Sequence, residues 1–284
     1  MSGTLYLCAT PIGNLEDITV RALRVLKEAD IVAAEDTRNS QKLLLHYDIH
    51  TPLTSYHEHN KWDKGRTLIA KLLDGQNVVL ISDAGMPGIS DPGYELVKMA
   101  YEADVQVSVL PGATASLSAL TISGLPTRYF SFEGFLPVEN KQRRERLETL
   151  EKEERTIILY EAPHKLRRTL VDITEKLGDQ REAALVRELT KKHETVERGT
   201  LGELKALYEE KEPRGEYVMI IHGADKEENV KAEQKKWEEL SVSEHYELYI
   251  AAGMERQEAM KRVAADRGST KREIYNELVK NKQS

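Results

Sequence analysis

From residue 4 to residue 110 the chain alternates apolar runs of four to six residues with amphipathic segments of nine to eleven. The runs are Thr4–Ala9, Ile31–Ala34, Val78–Ile81 and Val105–Leu110. The segments are Thr19–Ala29, Asn39–Tyr47, Asp63–Leu73 and Tyr94–Ala103. Short continuous apolar runs read as strands buried on both faces. In the first segment Ala22, Leu23, Val25, Leu26 and Ala29 make one helical face, and Gly75 is placed to end the third. This alternation predicts a mostly parallel sheet covered by helices, an α/β fold.

The rhythm breaks at Gly124-Leu125-Pro126-Thr127-Arg128, read as a linker, and resumes in a different form. Thr156–Tyr160 reads as a strand, and Pro163 suits the first turn of the helix after it. Leu166, Leu170, Ile173 and Leu177 form that helix's stripe, and Gly178 ends it. Ala183–Glu188, Thr195–Gly199 and Glu216–His222 are further strands, spaced closely enough to require antiparallel pairs in a mixed sheet. Beyond residue 224 the sequence is rich in Glu and Lys and helical in pattern. Ser241-x-x-Glu244 and Thr270-x-x-Glu273 have the form of capping boxes, and Gly253 and Gly268 punctuate the helices. Three regions are therefore expected: 1–124, 125–224 and a helical appendage at 225–284. At roughly 100–200 residues per domain, two domains and an appendage suit a chain of 284 residues.

Bulk properties narrow the functional classes. The single cysteine, Cys8, makes no intrachain disulfide and sits in the apolar run Leu5–Ala9, so a buried thiol in a reducing, cytoplasmic setting is expected. Glu16 and Asp17 interrupt any signal-peptide core, and no apolar run approaches the ~20 residues that span a membrane. With a net charge of −7 the whole chain does not attract nucleic acid, so any RNA contact must come from local basic patches.

The informative residues sit where strands end, which is where open α/β sheets bind ligands. Thr10-Pro11-Ile12-Gly13-Asn14 follows the first run and Glu35-Asp36-Thr37-Arg38 follows Ile31–Ala34. Ser82–Gly93 follows Val78–Ile81, and Pro111-Gly112-Ala113-Thr114-Ala115 follows Val105–Leu110. Ser82–Gly93 is long for a connection, with glycines that permit close backbone approach and prolines that stiffen it. There is no G-x-G-x-x-G fingerprint, P-loop or G-x-S-x-G elbow. His57-x-His59 lacks the context of a metal site, and no metal is expected.

Taken with Ala34–Arg38, Ser82–Pro87, Leu110–Ala113 and Gly134-Phe135-Leu136-Pro137, these loops resemble the tetrapyrrole-methylase superfamily, and within it the branch that methylates small-subunit ribosomal RNA. Tyr160-Glu161-Ala162-Pro163-His164 and Arg187-Glu188-Leu189-Thr190-Lys191 continue the match, which runs in register from Leu5 to about His222. One departure is Lys165, where that pattern leads one to expect arginine; Lys keeps the charge and loses the bidentate fork.

The resemblance implies two α/β domains with S-adenosylmethionine between them, 2′-O-methylation of a decoding-region cytidine of 16S rRNA within the 30S subunit, and a homodimer. It implies a cofactor pocket lined by Pro11, Gly13, Asp83, Gly85, Met86, Pro87, Pro111, Gly112, Ala113 and Thr114. Tyr160, Leu185, Gly215 and Glu216 would supply the far wall. Asp83 is open to a second reading, as a turn-stabilising residue. Methyl transfer to a hydroxyl asks for positioning and a place for the proton. Asp36, Glu161 and Lys191 are the catalytic candidates, although Asp36 has Arg38 as a partner nearby and Glu161 can serve a helix N-terminus.

Lys141, Arg143, Arg144, Arg146 and Lys165 are the candidate RNA contacts, against a plain solvated face interleaved with Glu145, Glu148 and Glu151. Neither DNA nor membrane is an expected partner. Two rivals share the sequence features: a methyltransferase acting on a corrin or porphyrin precursor, and a non-enzymatic cofactor-binding ribosome-assembly protein.

Overall fold

Both expected sheets form. In the computed structural model, which describes residues 2–225, 237 and 240–280, strands β1 (Thr4–Cys8), β2 (Ile31–Ala34), β3 (Leu53–Ser55), β4 (Val78–Ile81) and β5 (Gln106–Leu110) lie in the order β3-β2-β4-β1-β5. Every pairing is parallel. Helices α1 (Val20–Glu28) and α2 (Thr37–His46) cover one face through Ala22, Val25, Leu26 and Leu44. Helices α3 (Lys61–Leu73) and α4 (Tyr94–Glu102) cover the other through Leu68, Leu72, Leu96 and Ala100. Sequence periodicity gave no separate signal for β3, whose three residues Leu-Thr-Ser are too few to show one.

Helix α5 (Ala115–Ser123) leads to the second sheet, ending at Gly124 in the left-handed conformation. Strands β6 (Phe130–Gly134), β7 (Thr156–Glu161), β8 (Glu182–Arg187), β9 (Thr195–Thr200) and β10 (Tyr217–Ile221) run in the order β6-β7-β10-β8-β9. Only β6 and β7 are parallel, so the sheet is mixed. Alternation along the strands divides it. Ile158, Ala184, Val186, Val218 and Ile220 face Ala119 and Leu120 of α5. Ile157, Leu159, Leu185, Met219 and Ile221 face helices α6 (Asn140–Glu151), α7 (Pro163–Leu177) and α8 (Leu201–Glu210). The stripe Leu166-Leu170-Ile173-Leu177 is buried here, and a capping box from Thr200 to Glu203 starts α8.

Residues 1–150 and 155–222, carrying both sheets, make one compact unit; residues 151–154 and 223–284 make another. In the second unit, helices α9 (Val242–Ala251), α10 (Arg256–Asp266) and α11 (Lys271–Lys280) close on Val242, Val263, Ala264 and Ile274. The capping boxes at Ser241 and Thr270 both form, and Gly253 and Gly268 take positive φ between the helices. His245 is buried here and its ring stacks on Trp237 at 3.8 Å. Among the described residues no helix is long and apolar enough to cross a membrane.

Two positions test this packing. A Cβ on Gly93 would lie 2.8 Å from the Cα of Gly88 and 2.9 Å from its nitrogen, so the two glycines pinch the β4–α4 loop shut. Gly93→Ala is expected to cost about 1–3 kcal/mol, read as a lower midpoint in chemical denaturation; an unchanged midpoint would show a slack loop. Cys8 is fully buried and desolvation pushes its thiol up to about 12. The native protein is therefore expected to leave a thiol reagent unreacted at pH 8 and to consume one equivalent once unfolded.

Candidate functional site

Strand order decides which loops meet. Because β1 lies between β4 and β5, the loops that leave their carboxyl ends are neighbours. Thr10 and Gly85 exchange two backbone hydrogen bonds, Thr10 N–H to Gly85 O at 2.9 Å and Gly85 N–H to Thr10 O at 3.1 Å. The Thr10 hydroxyl donates to Ser82 O at 3.2 Å. Gly85 takes φ +80°, and a Cβ there would meet Ile12 at 3.4 Å. A Cβ on Gly112 would sit 3.0 Å from that of Ala9, so the β5 loop also packs against the end of β1.

These loops form one wall of a cavity of about 410 Å³. Ile12, Ala84–Met86, Ile89–Asp91 and Thr114–Ser116 line it from the first sheet and α5. The other wall is Phe135, Tyr160–His164 and Glu216–Val218. The register explains this second wall, since Glu161 at the end of β7 is paired with Tyr217 at the start of β10. Tyr160 ties the walls together by accepting the Ser116 N–H at 3.1 Å. The size falls in the ~300–1,000 Å³ range of small-molecule sites.

Of the expected cofactor residues, Gly85, Met86, Thr114, Tyr160 and Glu216 line the cavity, as does Glu161. Pro11, Pro87, Pro111, Gly112 and Ala113 belong to the loops behind it and are not among its lining. Leu185 is fully buried on the face of the second sheet turned to α6, α7 and α8, so its side chain is core. Gly13 meets the β8–β9 loop: a Cβ on it would lie 2.5 Å from Lys191 Cγ and 2.7 Å from Leu189 O. Gly215, at φ +77°, leaves room for the Glu188 carboxylate. Asp83 accepts from Asp36 N–H at 3.2 Å and from the Asn39 amide at 3.3 Å, so it holds the β2–α2 loop rather than the cavity.

Two expected proton-transfer groups have other duties. Asp36 caps α2, accepting from Arg38 N–H at 2.8 Å, and pairs with the Arg38 guanidinium at 2.9 Å. Those bonds from Arg38 hold its carboxyl down at about 2, too low for a useful base, and it does not line the cavity. Lys191 donates to Glu188 at 3.0 Å and Glu216 at 2.9 Å. Burial pulls its pKa down, but the two carboxylates outweigh it and the ammonium is held above its ordinary value. It therefore stays protonated and braces Glu216.

Glu161 is buried at the cavity edge. It accepts from Ala162 N–H at 2.8 Å and from the Thr169 hydroxyl at 2.5 Å.

A residue outside the expected set is better placed electrostatically. Asp91 lines the cavity. Burial raises its pKa, a hydrogen bond from Ser82 offsets part of this, and the charge of Asp83 adds to the rise. Glu35 is raised by burial and then by Asp91, Asp83 and Asp36. Carboxylates gathered closely enough to raise Glu35 and Asp91 mark a negative field at the strand ends. The signal was in the sequence, since Asp91 stands between Ser90 and Pro92 in the stiff loop.

The expected RNA contacts divide. Arg143 is 7% exposed. It bonds Asp172 at 2.6 Å and the Thr169 hydroxyl at 2.7 Å, so it joins α6 to α7 and is withdrawn from solvent. The signal was the spacing Arg143, Leu147, Leu150, one buried helical face. Arg146 is paired with Glu133. Lys141, Arg144 and Lys165 are exposed. Arg168 bonds Asn140 at 2.7 Å, tying the start of α6 to α7, whose first residues Pro163 and His164 line the cavity.

Among the described residues no three His, Cys, Asp or Glu side chains are grouped to hold a metal ion. The rings of His57 and His59 lie 6.0 Å apart.

Residues 4–205 match the profile of the tetrapyrrole (corrin/porphyrin) methylases. A Halalkalibacterium halodurans protein named ribosomal RNA small subunit methyltransferase I is 53% identical over 274 residues, covering 96% of this chain and 94% of that one. Its Bacillus subtilis namesake is 49% identical, covering 96% and 93%. Among solved structures, diphthine synthase superposes with a TM-score of 0.61 at 14% identity, covering 78% of this chain and 90% of that chain. Uroporphyrin-III C-methyltransferase from Thermus thermophilus, complexed with S-adenosyl homocysteine, gives 0.55 at 21%, covering 78% and 97%. At these identities the structures establish the shared fold.

Arg143→Ala is expected to cost about 2–3 kcal/mol of stability. That is below the ~3–5 for a fully buried pair, because the side chain of Asp172 is 26% exposed. Arg144→Ala should stay within about ±0.5 kcal/mol. Equal melting curves for the two variants would show that the Arg143 network holds nothing.

Proposed function

The chain belongs to the tetrapyrrole (corrin/porphyrin) methylase family, and on that premise we propose that it transfers a methyl group from S-adenosylmethionine to a ribose 2′-hydroxyl of 16S rRNA. The carrying observation is a cavity lined by the strand-end loops, with the carboxylate of Asp91 on one wall and, on the other, the first residues of α7, the helix that carries exposed Lys165 and Arg168. The near full-length identity to ribosomal RNA small subunit methyltransferases I supports RNA over a tetrapyrrole as substrate.

The cavity fits the cofactor. Gly85, at φ +80°, brings backbone to the cavity wall with no side chain in the way, and Gly112 lets the β5 loop pack against Ala9 behind it. Ile12, Met86 and Ala115 supply apolar wall. Asp91, destabilised as an anion by burial and Asp83, gains from a cation, and S-adenosylmethionine carries an ammonium and a sulfonium. Glu216, braced by Lys191, lines the opposite wall. When bound, the cofactor would supply an electrophilic methyl group to the ribose oxygen, with a neutral thioether as the leaving group and the hydroxyl proton passing to solvent. The chain's part is to hold the ribose in line and keep competing water out.

Lys141, Arg144, Lys165 and Arg168 meet the RNA backbone in this reading; Lys141 and Lys165 lie in the first turns of α6 and α7, where the helix dipoles add positive potential. Arg143 positions the wall from inside.

Labelled cofactor incubated with unmethylated 30S subunits is expected to deposit one methyl per 16S rRNA. The modified site should resist alkali, because cleavage needs the free 2′-hydroxyl. Transfer to a porphyrinoid precursor with none to 30S would sink the reading. Asp91→Asn should raise the cofactor Kd by roughly 10-fold or more, about 1.4 kcal/mol, and calorimetry showing wild-type affinity would remove Asp91 from the cofactor site.

A further inference from the structure

Four ring side chains line the cavity: Phe135, Tyr160, His164 and Tyr217. Tyr217 is buried in the sheet, 2% exposed. Tyr160 is half-buried, its hydroxyl bound to Ser116 and its ring set edge-on against Phe132 and Phe135. Phe135 is different. It is 58% exposed, yet the chain around it is fixed. Gly134 before it sits at φ +62°, Leu136 after it is buried in the core, and its own edge rests on Tyr160 at 5.7 Å.

Across the mouth Ile89 is 64% exposed and lines the same cavity. A Cβ on Gly134 would lie 3.5 Å from the Ser90 hydroxyl, so the two loops that carry these apolar groups are adjacent. Leaving a rigid phenyl ring in water is unfavourable unless it meets something flat and apolar. His164 lines the same cavity and is followed at once by exposed Lys165, and α6, with exposed Lys141 and Arg144, begins five residues after Phe135. A ring with one open face, next to positive charge, has the chemistry to receive an unstacked nucleobase whose phosphates the cations hold.

We propose that Phe135 is the stacking platform for the base of the nucleotide to be methylated, with Ile89 closing over the base's other side. The proposal rests on the reading that the substrate is RNA and adds the subsite that selects an unpaired nucleotide. A ribose reaches a recessed methyl group only if its nucleotide leaves the helix, and the splayed base then needs a new neighbour to replace its lost stacking. Phe135, 58% exposed, supplies that neighbour at the cavity wall.

The test uses the full chain with Phe135→Ala, Phe135→Leu and Phe135→Trp. On 30S subunits the Ala and Leu variants are expected to raise the apparent KM by roughly 10-fold or more. The Trp variant should stay near wild type, and in calorimetry the cofactor Kd of the Ala and Leu variants should rise far less than their KM for 30S subunits. Quenching of 2-aminopurine in a short single-stranded RNA should appear with wild type and vanish with the Ala variant. A wild-type KM in the Ala variant with undiminished quenching overturns the platform. So does a fall in cofactor affinity matching the loss of activity, or a changed sedimentation mass that assigns the ring to a protein contact. If wild type transfers no methyl group to 30S but quenches 2-aminopurine through Phe135, the catalytic reading has failed and the platform stands.

Discussion

Two backbone hydrogen bonds between Thr10 and Gly85 hold the site together. They bridge the loops after β1 and β4, which the strand order has already made neighbours. Gly85 reaches its φ of +80° without the penalty a side chain would bring, and Ile12 packs on the space left open. The β5 loop follows because Gly112 lies against Ala9. From there α5 carries the chain across to the second sheet, burying Ala119 and Leu120 against it. The first wall of the cavity is thus backbone held by backbone, a rigid surface with polar groups available for a ligand.

The second wall is held from behind. Asp172, Arg143, Thr169 and Glu161 form one chain of hydrogen bonds from α6 through α7 to the end of β7. Arginine only donates, so the Thr169 oxygen accepts from it and the threonine's one hydrogen goes to Glu161. Glu161 in turn accepts Ala162 N–H, which sets the turn that carries Tyr160 and His164 on the cavity wall. The charge that looked available to RNA is consumed in building the site.

Charge is sorted in space. The carboxylates Glu35, Asp83 and Asp91 gather at the ends of β2 and β4; burial, then the charges of Asp91 and Asp83, makes Glu35 harder to ionise, and burial and Asp83 do the same to Asp91. Exposed Lys141, Arg144, Lys165 and Arg168 gather at the starts of α6 and α7. A chain of net charge −7 can thereby offer a negative pocket to a cationic small molecule and a positive face to a polyanion. Near-neighbour fields decide both encounters, since charges beyond about 10 Å are screened at 0.1 M salt.

Sequence periodicity was enough to determine the parallel sheet, the mixed character of the second, the stripe of α7 and both capping boxes of the helical tail. These are short-range facts, set by apolar spacing and by residues three or four positions apart. The strand-end loops were legible too, because glycine and proline act on their own backbone. Strands β3 and β6 and helix α5 were not, since their residues become regular structure only against partners far along the chain. Side-chain duty at the site was decided by tertiary structure. Alternation says that Leu185 and Val186 face opposite ways; packing alone says which of them meets α5. Asp36 and Lys191 carry the chemistry of a base, but the partners that folding brings to them fix one as a cap and the other as a brace. A residue type sets what a group is able to do, and its neighbours, assembled over long range, set its protonation and its direction.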